Sequence, residues 1–125
     1  MTGWWRVAHA FDSSLPGWLV VLPRRHLESM AELDSAEAAE LGPLLADLGR
    51  ALEDVTGCTK TYVMLFAEAQ GFAHLHLHVV PRMPDAPAEE VGPGIFSRLG
   101  RPDAERVPGT EMNRLARALR AAAGR

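Results

Sequence analysis

The chain has 125 residues, of which 47% are apolar and 23% charged, with a formal charge of -3. This predicts one domain over 1–125 and excludes disordered, fibrous and low-complexity classes, while the negative charge disfavours nucleic acid or anionic lipid as a general partner. No apolar run approaches the roughly 20 residues of a membrane span, Met1 to Arg6 lacks the features of a secretory signal, and Cys58 has no partner for an internal disulfide, so a cytoplasmic setting without membrane contact is expected.

Trp4 to Leu22 alternates loosely around a turn-type cluster, Asp12 to Gly17, and reads as a hairpin. Its second arm, Trp18 to Leu22, stops at Pro23, which has no amide donor, leaving Arg24, Arg25 and His26 at a strand exit. Ser35 is expected to cap a helix running to about Val55, with Leu41, Leu44, Leu45, Leu48 and Leu52 on one face and Thr56-Gly57 as its end. Gly42-Pro43 inside that pattern leaves open a break into two helices.

Thr61 to Phe66 is β-branched and aromatic and reads as a buried strand, followed by a small-residue turn from Ala67 to Gly71. A further strand is expected from about Phe72 to Val80, ending before Pro81. The stretch from Pro81 to Gly109 holds six of the nine prolines and reads as a long wrapping loop, a lid or substrate rim, rather than sheet or helix. Trimming it should alter substrate ranking more than stability. Thr110 is then expected to cap a C-terminal helix over 110–123, with Met112, Leu115, Ala116 and Leu119 on one face. Cys58 reads as buried filler, and Trp4, Trp5 and Trp18 as core or dimer contacts rather than base-stacking platforms.

The chemistry concentrates in His74-Leu75-His76-Leu77-His78-Val79-Val80. Alternation on a strand puts three imidazoles on one face and Leu75, Leu77 and Val79 on the other, against the helix. An exposed polar face would favour Thr, Lys or Glu instead. A metal site shared by all three histidines fails on reach, because His74 and His78 would stand about 13 Å apart. A histidine pair with an outside carboxylate stays open on the residues alone. Phosphate chemistry fits the array, with one neutral imidazole as nucleophile and its neighbours orienting it and binding anionic oxygens.

This pattern resembles the signature of the histidine triad family of nucleotide hydrolases and transferases, in particular bacterial members similar to diadenosine polyphosphate hydrolases. The resemblance extends to Gly17-Trp18-Leu19-Val20-Val21-Leu22-Pro23-Arg24-Arg25-His26 and covers about Trp4 to Pro84. It implies an α+β fold, an antiparallel sheet of about five strands with one long helix and a C-terminal helix, paired as a homodimer. It implies a two-step reaction in which His76 attacks the α-phosphate of a nucleotide, a backbone carbonyl holding its second ring nitrogen. His78 would hold a phosphate oxygen, and His74 and His26 would support the array. Gln70 stands where relatives contact the leaving-group oxygen, and Asp12 lies two residues from a position that binds ribose. Arg24, Arg25 and Arg82 would add positive potential. Ala67 and Gly71 replace polar positions of the family, and its zinc-binding cysteine pair is absent, so neither metal nor cofactor is expected.

The implied activity is hydrolysis of a dinucleoside polyphosphate such as diadenosine tetraphosphate, or of a nucleoside phosphoramidate, releasing a nucleoside monophosphate. A nucleotidyl or phosphoryl transferase and a nucleotide-binding regulator with little turnover are the alternatives.

Overall fold

Four strands pair in the order β1-β2-β4-β3, every neighbour antiparallel, in a computed structural model that describes residues 3–68, 71 and 73–124. They are β1 (Trp5–His9), β2 (Leu19–Pro23), β3 (Lys60–Met64) and β4 (Leu77–Arg82), joined by helices α1 (Ser35–Thr56) and α2 (Gly109–Ala123). The fold is therefore α+β, with four strands where about five were expected. The first two strands form the expected hairpin, Trp5 facing Pro23 and His9 facing Leu19.

α1 covers one sheet face because its leucines recur every three or four residues: Leu41, Leu44, Leu48 and Leu52 pack with Leu75, Leu77 and Val79. Its cap is Asp34 rather than Ser35. The Asp34 carboxylate accepts from Glu37 N at 2.9 Å while Glu37 Oε1 accepts from Asp34 N at 2.9 Å, a reciprocal capping box. Gly42 and Pro43 do not break the helix. Both lie on its exposed side with Ala39, so water can satisfy the carbonyl that Pro43 cannot pair, while the buried leucine stripe holds the helix together. Gly57, at φ 74, ends it in a left-handed turn.

Three other sequence expectations change. β3 is an edge strand and not buried, with Val63 48% exposed. β4 starts at Leu77, not Phe72, and it runs through Pro81 to Arg82. Phe72 itself lies outside the described residues. Pro81 is tolerated because the β2 ladder ends at the pair Leu19 and Val79, so no partner on that side needs its missing amide. Gly17 sits there instead, at φ 94, where a Cβ would stand 3.1 Å from Pro81 Cγ.

The stretch after β4 is not a plain loop. It carries three 3-10 turns, Ala88–Glu90, Gly92–Arg98 and Asp103–Glu105, and it buries Ile95 and Val107. Ile95 joins Ala10, Leu15, Trp18 and Val80 in a second core on the sheet face opposite α1. Backbone bonds from Ser14 N to Arg98 O, Arg101 N to Asp12 O and Val107 N to Ser13 O fasten this segment to the first hairpin's turn. α2 starts at Gly109 behind Pro108, with no side-chain cap from Thr110, and buries Leu115 and Leu119 against α1. Cys58 is buried in the main core, as are Trp5 and, in the second, Trp18, whereas Trp4 stays about half exposed. Among the described residues no helix is long and apolar enough to cross a membrane.

Candidate active site

The face opposite α1 carries the histidines. In register, His78 lies between Val20 of β2 and Met64 of β3. His74 and His76 precede the strand, although the alternation continues: Leu75 and Leu77 are buried in the main core while His74 and His76 are only partly buried. The β2 ladder stops short of them because Pro23 has no N–H to give, and its carbonyl turns to a side chain instead.

That carbonyl accepts from His74 Nε2 at 3.3 Å, and His74 Nδ1 accepts from Leu27 N at 3.4 Å. The two partners fix the proton of neutral His74 on Nε2. Leu75 N donates to Leu27 O at 2.6 Å, which brings the His26 segment alongside. The His26 and His74 rings stack at 5.0 Å and 13°, with His26 Nε2 3.3 Å from Glu28 Oε2. The His26 side chain is 71% exposed, so it lies at the rim.

His76 Nδ1 donates to the carbonyl oxygen of His74 at 2.8 Å. Its proton is therefore held on Nδ1, and Nε2 keeps a bare lone pair. His78 has the opposite tautomer. Its Nδ1 accepts from the indole N–H of Trp18 at 3.0 Å, which places the proton of the neutral ring on Nε2. The rings of His76 and His78 meet edge to face at 5.0 Å. Burial first, and then the neighbouring His76, push the pKa of His78 down to about 4, against a small opposing pull from Asp12. With both rings neutral the pair thus offers one bare ring nitrogen beside one ring N–H, the makings of a nucleophile next to an oxyanion donor.

Other sequence candidates divide. Asp12 stands close enough to act on His78 electrostatically, while its Oδ2 accepts from Gly100 N at 3.2 Å. Arg25 does not join the histidines: it reaches Glu37 through Nη2 at 2.8 Å and Nε at 3.2 Å, bracing the start of α1. Arg24 is exposed on the strand exit. Arg82 shares the histidine face but closes the far end of β4, about 13 Å along the strand from His78. Gln70 lies outside the described residues. Ala67 adopts φ 56, a left-handed conformation that asparagine takes more readily than alanine.

Sequence reasoning missed Trp18 and Phe96 as parts of the site. Phe96, from the segment after β4, contacts His78 edge on at 5.3 Å and Trp18 at 5.8 Å. A buried tryptophan on a strand beside a histidine strand was the available signal, since its N–H needs an acceptor. Concavity alone would have misplaced the site. A groove of about 460 Å³ between β1, α1 and α2 lies on the other sheet face and holds none of these groups except the separate His9. Among the described residues no group of three or more His, Cys, Asp or Glu is placed to hold a metal ion.

The HIT domain family model matches residues 5–85. Solved structures of similar fold include a histidine triad protein from Sinorhizobium meliloti 1021, 24% identical over 98% of this chain and 85% of that one, with a TM-score of 0.80. Another, from Bradyrhizobium japonicum, is 23% identical over 98% of this chain and 86% of that one, with a TM-score of 0.79. A zinc-bound histidine triad family protein from Mycobacterium smegmatis is 19% identical over 99% and 81%, with a TM-score of 0.69. No curated protein matches.

Proposed function

The chain belongs to the HIT domain family, which includes nucleotide hydrolases and transferases, and on that premise we propose that it hydrolyses a nucleotide conjugate at its α-phosphate through His76. The observation that carries this reading is the 2.8 Å bond from His76 Nδ1 to the His74 carbonyl, which leaves Nε2 free to attack.

In the first step the Nε2 lone pair of His76 forms a bond to the α-phosphorus, and the bond from phosphorus to the leaving group breaks. A polyphosphate leaves as an oxyanion; an amine leaving group takes up a proton from solvent water, which the proton released in the second step restores. The imidazole becomes cationic as the bond forms, so its Nδ1–H bond to the His74 carbonyl strengthens toward the transition state. His78 Nε2–H is suited to a non-bridging phosphate oxygen, where negative charge is greatest. In the second step water adds to phosphorus, the bond to His76 Nε2 breaks, and nucleoside monophosphate leaves with release of a proton. In this reading Asp12 is assigned to the ribose, Gln70 is the sequence candidate for the leaving-group oxygen, and the segment after β4 contributes to substrate choice.

The substrates this predicts are a dinucleoside polyphosphate such as diadenosine tetraphosphate or a nucleoside phosphoramidate. Incubation with each, with products resolved by chromatography, tests the proposal. Monophosphate release that disappears in His76→Ala supports it, and release that persists overturns it. Adding alcohol or phosphate acceptors separates a transferase from a hydrolase by the product formed. We also propose that the protein works in the cytoplasm as a homodimer, the latter to be checked by sedimentation.

A further inference from the structure

We propose that Trp18 is a positioning residue, its indole N–H locking His78 in the tautomer that presents Nε2–H to the substrate phosphate. This rests on the α-phosphate reading above and adds to it the device that sets the polarity of the second histidine.

Trp18 is fully buried at the entry to β2, one strand away from His78. Its backbone is fixed on both sides, the carbonyl accepting from Ala10 N at 2.9 Å and the amide donating to Leu15 O at 3.2 Å. Gly17, before it, lies against Pro81 where a side chain would crowd the turn. The indole stands edge to face with His78 at 5.6 Å and 83°, and the Phe96 ring closes on both. The three rings set one another's tilt, and the N–H falls 3.0 Å from Nδ1 of His78.

The identity of the donor matters. A hydroxyl or a second imidazole at this place can either donate or accept, so it tolerates both tautomers of its neighbour. Indole only donates. With His78 protonated on Nδ1, two buried N–H groups would face each other with no acceptor between them. Trp18 therefore disfavours that tautomer and also the doubly protonated ring. While the bond stands, His78 gives a hydrogen bond through Nε2 and cannot take a proton from attacking water there. His78 is thus an oxyanion donor in both steps and the general base in neither.

Among the described residues, the groups facing His78 are His76 from its own segment, Val20 and Met64 from the flanking strands, Phe96, and the more distant Asp12. None of them is shown donating to Nδ1, so loss of the indole N–H leaves the tautomer free.

The test is two-bond 1H–15N correlation of the ring nitrogens in full-length protein, with Trp18→Phe and with β-(3-benzothienyl)alanine at position 18. The second variant keeps the shape of indole and replaces N–H by sulfur. The expected result is the Nε2–H form of His78 in the native protein and a tautomer mixture in both variants. A fall in kcat of about 10–100-fold with KM nearly constant should accompany it. Native His78 protonated on Nδ1, or a benzothienyl variant that keeps the Nε2–H form and full kcat, overturns the proposal. The tautomer is read without turnover, so these results are distinct from activity surviving His76→Ala, which would instead overturn the hydrolase reading.

Discussion

The ring of His76 is tied to the main chain two residues behind it, Nδ1 standing 2.8 Å from the carbonyl oxygen of His74. Chain and ring thus form one closed unit, anchored by Leu75, whose amide bonds Leu27 O and whose side chain is fully buried. The nucleophile in this account is positioned by backbone and core rather than by a mobile side chain.

Leu75→Ala should therefore act twice. Deleting a fully buried leucine costs about 2–5 kcal/mol of stability. It also loosens the segment between His74 and His76, so kcat should fall even where urea titration shows the protein still folded. Unchanged kcat in the folded fraction would sever the link between this anchor and the site.

The buried histidines make stability depend on pH. Burial pushes His78 from 6.5 down to about 4, and it also lowers His9. The unfolded chain therefore binds protons before the folded one does. Their contribution is complete above the unfolded value near 6.5 and is lost as pH falls through the folded values, for His78 near 4. Urea midpoints should decline across that window, and His78→Gln should flatten the decline while the His9 share persists. Equal slopes in the two proteins would contradict the burial argument.

The segment after β4 was expected to be a rim that could be trimmed at little cost. With Ile95 only 2% exposed inside the second core, Ile95→Ala should instead cost about 2–5 kcal/mol, read by urea unfolding. A loss below 1 kcal/mol would return the segment to the status of a detachable lid.

At the start of α1, Asp34→Ala should cost about 1 kcal/mol through the lost cap. Glu37 has its pKa lowered by the Arg25 guanidinium first and by the Asp34 amide second. A depressed carboxylate contributes stability above its unfolded pKa and loses it as pH falls through the folded one. Glu37→Gln should lower the melting temperature at pH 7 and bring less change at pH 3, and an equal loss at both would remove the charge from the explanation.

Much of this was legible in the residues. The histidine alternation placed three imidazoles opposite a leucine face, and the leucine spacing gave α1, because both patterns are local. The start of β4 was not legible, since it depends on where β2 stops offering amides: Pro23 ends that ladder and His74 takes its carbonyl. The Asp34-x-x-Glu37 capping box stands in the sequence, but Ser35 beside it is an equally good capping residue type, and the pattern alone does not choose between them. β3 looked buried because aromatic and β-branched residues suit any strand, and its edge position is a matter of topology. Ile95 and Val107 stand among proline, glycine and charged residues with no periodicity, so their burial could not be seen. Trp18 reads in the sequence as a packing residue, and its hydrogen bond to His78 across 60 positions appears only once β2 and β4 are paired.

The most direct test of His76 as nucleophile is to trap its intermediate. Protein mixed with diadenosine tetraphosphate labelled at the α-phosphorus is quenched in alkali within the first turnover and digested, and its peptides are mapped by mass. The account predicts adenylate on the peptide carrying His76, absent from His76→Ala. Label on another residue, or turnover in His76→Ala at a native rate, would contradict it.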